Sequence, residues 1–149
     1  METSNVVSTL NDLIEINNDR VAGFEKAMAD IKDENLDLKT LFQEFSSQSR
    51  KFSQELTSLA SRYTDDVETG TSAAGNLHRA WIDIKSLFGG SDRKSILEEA
   101  ERGEDAIKKA YNDALKEGTF PVEATSLITQ QAAEIKRAHD KIKALRDSA

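Results

Sequence analysis

Glu104 is the side chain of this sequence most suggestive of chemistry. It follows Ala100 by four positions and precedes Ile107 by three and Tyr111 by seven, which sets a carboxylate on the apolar face of a helix. Glu25 lies between Val21 and Met28 at the edge of a similar face. Glu134 falls level with Glu104 if two helices turn back on each other near residue 119, and the same reckoning sets Glu25 level with Glu44. His139 stands between Ile135 and Ile142. Carboxylates and imidazoles converging inside a helical bundle can hold a pair of metal ions, given one Glu on each of two helices and Glu-x-x-His on each of the others. The chain has two histidines, and the residues three before His78 and His139 are Gly75 and Lys136. That ligand set is missing. A buried acid without a metal needs Arg, Lys or a tyrosine hydroxyl beside it, and Arg20, Arg50, Arg102 and Arg137 are available. The expected site is a buried polar network of Glu25, Arg50, Glu104, Glu134 and His139. A degenerate carboxylate metal site using Glu25, Glu104 and Glu134 is the alternative. No catalytic residue, metal ligand or cofactor is assigned.

Asn17, Ser49 and Gln131 interrupt stripes that are otherwise apolar, and buried polar groups of this kind fix register and orientation. Gly23 and Gly103 flank Glu25 and Glu104. A glycine inside a helix costs about 1 kcal/mol relative to alanine, so close backbone approach near the two acids is the expected compensation. His78, beside Trp81, reads as a packing or capping residue, and His139 as the hydrogen-bonded edge of the core. Gly89-Gly90 has neither the preceding strand nor the following Lys-Ser/Thr of a phosphate loop. Ser, His and Asp occur without a nucleophile elbow. Trp81 with Leu77, Ile84 and Phe88 forms an amphipathic face, but Arg79 and Lys85 are balanced by Asp83, so core packing is favoured over a membrane surface.

Five apolar stripes with steps of three and four must position these groups. They predict helices over residues 4–32, 36–68, 75–88, 92–117 and 121–147. The first stripe runs Val6, Leu10, Leu13, Asn17, Val21, Phe24, Met28, Ile31, and the second Leu38, Leu41, Phe45, Ser49, Phe52, Leu56, Leu59, Tyr63. The third, short one ends at Gly89-Gly90. Ser91 or Asp92 caps the next helix, Gly118 stops it, and Pro121 opens the last. No segment alternates with period two, so no strand is expected. Short connections make the first two helices one antiparallel hairpin and the last two another. The short helix then lies on a long crossover between the hairpins, the ferritin-like arrangement, with a helical hairpin array as the alternative fold.

At 149 residues the chain fits one four-helix-bundle domain over residues 1–149. Cysteine is absent, which excludes disulfides, thiolate metal sites and cysteine nucleophiles. Net charge is −7 with charges interspersed, a surface that repels phosphate backbones and anionic lipids, so neither nucleic acid nor membrane is an expected partner. The N-terminus lacks the basic start and apolar run of a signal peptide, and a cytoplasmic location is expected.

Several segments together are familiar: Leu10-Asn11-Asp12-Leu13-Ile14-Glu15, Gly23-Phe24-Glu25-Lys26-Ala27, Leu77 to Lys85, Glu101-Arg102-Gly103-Glu104-Asp105 with Ala110-Tyr111, and Ala138-His139-Asp140 with Leu145-Arg146-Asp147. This pattern resembles an uncharacterised bacterial family of ferritin-like four-helix-bundle proteins, a domain of unknown function. The resemblance implies the bundle and no particular activity. The expected function is that of a non-enzymatic bundle acting through protein contacts, a homo-oligomer included. The alternative is a carboxylate-bridged, di-iron-like oxidase or storage protein.

Overall fold

The computed structural model describes residues 3–31, 35–64, 92–117 and 120–149. They form four helices: α1 (Thr3–Asp30), α2 (Leu36–Ala60), α3 (Arg93–Glu117) and α4 (Val122–Asp147). No strand occurs among the described residues. The short helix expected over 75–88 lies outside them.

Local chemistry accounts for several helix ends. Asp92 caps α3, its Oδ1 accepting the Ser95 N–H at 2.9 Å, and this bond holds the Asp92 carboxyl below the ordinary carboxylate range. Helix α2 stops at Ala60, short of the expected residue 68. There Arg62 and Tyr63 donate their N–H groups three residues back, to Leu59 and Ala60, tightening the last turn and closing the carbonyls that would have propagated it.

Cross-helix contacts give the directions. Asn18 meets Ser53 and Arg20 meets Gln48, so α1 and α2 are antiparallel. Tyr111 meets Gln131 and Asp105 meets His139, which makes α3 and α4 antiparallel as well. Asn17 pairs with Tyr111 and Arg20 with Glu104, so α1 and α3 run oppositely. Likewise α2 runs opposite to α4, through Glu55 with Gln131 and Tyr63 with Glu123. Arg93 and Asp37, near the starts of α3 and α2, form an ion pair at 2.6 Å, and those two helices run parallel. Packing is closest within each hairpin and sparser between α1 and α3 or α2 and α4. Small residues buried at the first hairpin's seam, Gly23, Ala27, Ser46 and Ser49, permit that close approach.

The interior is divided. One apolar cluster gathers Val6, Leu10, Leu13, Phe52, Leu56, Ile107, Ile128 and Ile135 toward the end where α3 turns into α4. The other gathers Phe24, Leu38, Phe42, Phe45, Leu97, Ala138 and Ile142 toward the opposite end. Phe42 stacks at a tilt on Phe24, with ring centroids 4.9 Å apart. Phe42→Ala should therefore destabilise the fold by about 3–5 kcal/mol. Leu36→Ala and Val122→Ala, at 55% and 81% exposure, should change denaturant midpoints by an amount equivalent to under about 0.5 kcal/mol.

Candidate functional site

Between the two apolar clusters lies a layer of polar side chains drawn from all four helices. Its centre is Arg20 on α1, which is 0% exposed, as is Glu104 on α3. Arg20 Nε donates to Glu104 Oε1 and Nη2 to Oε2, each at 2.8 Å, a fork-on-fork pair. The remaining terminal nitrogen, Nη1, donates to Gln48 Oε1 and Ser49 Oγ at 2.8 Å and to the Phe45 carbonyl at 3.3 Å. The guanidinium carbon also sits 5.4 Å from the Phe24 ring centroid and 5.3 Å from that of Phe45, cation–π distances that place the second cluster against the layer.

From Arg20 the hydrogen bonds continue in one direction. Ser49 Oγ donates to Asn17 Oδ1 at 2.8 Å. Asn17 Nδ2 donates to the Leu13 carbonyl and to the Tyr111 hydroxyl, both at 2.8 Å. Tyr111 in turn donates to Gln131 Oε1 at 2.6 Å. Gln131 Nε2 reaches Glu55 Oε1 at 3.2 Å and the Phe52 carbonyl at 3.4 Å. The chain thus begins on a guanidinium and ends on a half-buried carboxylate, so successive dipoles are aligned and strengthen one another. Burial pushes the Tyr111 phenol well above its ordinary range, which keeps it neutral and able both to donate and to accept.

Of Glu25, Arg50, Glu104, Glu134 and His139, the five residues expected to form the network, Glu104 alone belongs to this layer. Glu25 and Arg50 pair with each other at the surface, with side chains 44% and 57% exposed. Glu134 is half-buried, and the α4 side chain that enters the layer is Gln131, one turn earlier. His139 is buried at the outer α3–α4 seam, its Nε2 at 2.5 Å from Asp105 Oδ1 and its Nδ1 at 3.1 Å from Asp140 Oδ1. Arg146 and Glu101 pair at 2.5 Å further along the same seam. Asn17, Ser49 and Gln131 carry the network as their positions on the stripes suggested. Gln48 and Glu55 lie off the α2 stripe, and no pattern in the sequence marks them.

The chemistry open to the layer follows from its bonding. Both Glu104 oxygens are taken by Arg20, so the carboxylate faces a built-in cation. Among the described residues, no group of three or more His, Asp or Glu is placed to hold a metal ion. No helix among them is long and apolar enough to cross a membrane.

Residues 5–117 match the family described as Domain of unknown function (DUF2383). The chain belongs to this family. The matched span holds Asn17, Arg20, Ser49, Glu104 and Tyr111, whereas α4, with Gln131 and His139, lies beyond it. No curated protein matches the chain.

Two outcomes test this site. Glu104→Ala leaves Arg20 buried without its counter-ion and should destabilise the protein by about 3–5 kcal/mol in denaturant melts, with Glu104→Gln costing less because it can still accept hydrogen bonds. At the outer seam, the Lys136 hydrogen bond first and His139 second hold the Asp140 carboxyl down at about 2, below its ordinary 3.8. A lowered folded value means the contribution is complete above 3.8 and disappears as pH falls through about 2. Because Asp140 is exposed, the difference between wild type and Asp140→Asn should be small at neutral pH and should vanish on that acid limb.

Proposed function

We propose that this protein is a non-enzymatic, ferritin-like helical bundle of a bacterial cytoplasm that acts through protein contacts, a second copy of itself being the first partner to test. The observation that carries the non-enzymatic reading is the Arg20–Glu104 pair. In a carboxylate-bridged metal bundle the acids converge on a cation that comes from solution. Here the central acid is saturated by a guanidinium belonging to the chain, and the neighbouring positions carry the neutral groups Asn17, Ser49, Tyr111 and Gln131. The ferritin-like reading is supported by the helix directions. With α2 and α3 parallel, the end of α2 and the start of α3 lie at opposite ends of the bundle, which is the helix order of the ferritin-like arrangement.

Action through the surface is supported by the character of the grooves. One groove, of about 550 Å³, is lined by Lys94, Glu98, Glu101, Arg102, Arg146 and Asp147 among others, charges that partly neutralise one another. A charged lining of this kind differs from the largely apolar pocket that holds a small substrate. The di-iron-like oxidase or storage reading finds no corresponding support, since it requires Glu104 to exchange a bidentate internal partner for metal.

Protein purified without affinity metal should carry less than about one equivalent of iron, manganese or zinc per chain, and chelator should leave its melting temperature unchanged. Stoichiometric metal that resists dialysis, with a melting point lowered by chelation, would overturn the non-metal reading. Sedimentation equilibrium tests the self-association arm: a monomer at every concentration removes it.

A further inference from the structure

The buried pair has a consequence for topology. Two antiparallel hairpins can pack into a bundle with antiparallel neighbours in two ways. In one, α1 lies against α3 and α2 against α4, as here. In the other the second hairpin is turned end for end, so that α1 lies against α4 and α2 against α3, the plain up-and-down order. The apolar seams do little to distinguish these, because α3 offers Leu97, Ala100 and Ile107 where α4 offers Ile128, Ile135, Ala138 and Ile142. Hydrophobic burial is non-directional, so either pairing removes similar area from water. The Arg93–Asp37 pair favours the observed order, but Asp37 is 59% exposed and such a pair contributes little.

The polar layer distinguishes them sharply. In the turned arrangement Arg20 would face the Gln131 helix and lose its carboxylate. Glu104 would face α2, near Ser49 and Glu55, as a buried anion without a cation. We propose that the Arg20–Glu104 pair is the topology-selecting element of this bundle, the contact that makes α3 rather than α4 the helix packed on α1. A buried ion pair is a poor source of net stability and a good discriminator, since its misplacement leaves two uncompensated charges.

The chain has no cysteine, so spin labels at Ser8→Cys and Lys116→Cys report the arrangement without background. Both positions are exposed and lie at the same end of the bundle, where Val6 and Leu115 join one cluster. Turning the second hairpin would carry Lys116 to the far end and lengthen the label distance by roughly 30 Å, at 1.5 Å per helical residue. Wild-type background should give one short distance. Arg20→Met with Glu104→Leu replaces both buried charges by apolar side chains and should add a second, long population, and a single short distance in that variant overturns the proposal. Should that pair of substitutions prevent folding, moving the acid decides the matter. Glu104→Gln with Gln131→Glu places the carboxylate on α4 and should convert the short distance to the long one, whereas retention of the short distance overturns the proposal.

Discussion

A guanidinium enclosed at the middle of a helical bundle constrains everything around it. Taken from water, the Arg20 guanidinium must find fixed acceptors for its N–H groups. Glu104 supplies two, Ser49 and Gln48 supply others, and the Phe45 carbonyl a longer one. Each acceptor fixes a helix: Glu104 sets the height and rotation of α3, and Ser49 and Gln48 those of α2. The remaining members, Asn17, Tyr111 and Gln131, extend the constraint to α4. Removal of one member leaves another buried polar group unsatisfied, so the layer acts as a unit.

The apolar clusters on either side have a different role. They provide burial, through Leu10, Leu13, Leu56 and Ile128 in one and Phe24, Phe42, Leu97 and Ile142 in the other, and burial is roughly proportional to area whatever the partner. Stability and specificity are therefore carried by separate parts of the interior. The aromatic rings of Phe24 and Phe45 join the two, packing in the second cluster while facing the guanidinium.

The same arrangement shows how the acids of the bundle are compensated from within the chain. Converging carboxylates repel, and a protein relieves that either by binding a cation or by building one in. Here Glu104, at the centre of the layer, meets an arginine from a neighbouring helix. Glu25 and Asp105 meet Arg50 and His139 nearer the surface, where water shares the task.

The helical class and the seams of α2, α3 and α4 were legible in the sequence, because the three-four spacing of apolar residues follows from helix geometry alone. Leu38 through Leu59 and Ala124 through Ile142 are buried as that spacing requires. Glu104 was legible for the same reason, as an acid out of place on an apolar face. Its partner was not singled out from the four arginines available. On α1 the apolar pattern favours Val21, yet the buried residue is Arg20, one position away. A periodicity rule rejects a charged residue from an interior stripe, and the group that admits this one lies 84 positions along the chain. Spacing set Glu25 at the edge of the apolar face, but the α1 face that turns inward carries Arg20 and Phe24, which leaves Glu25 in solvent. Local sequence determined which segments coil and which faces are apolar. The pairing of two charges from distant helices, which only tertiary packing could bring together, decided how those faces meet.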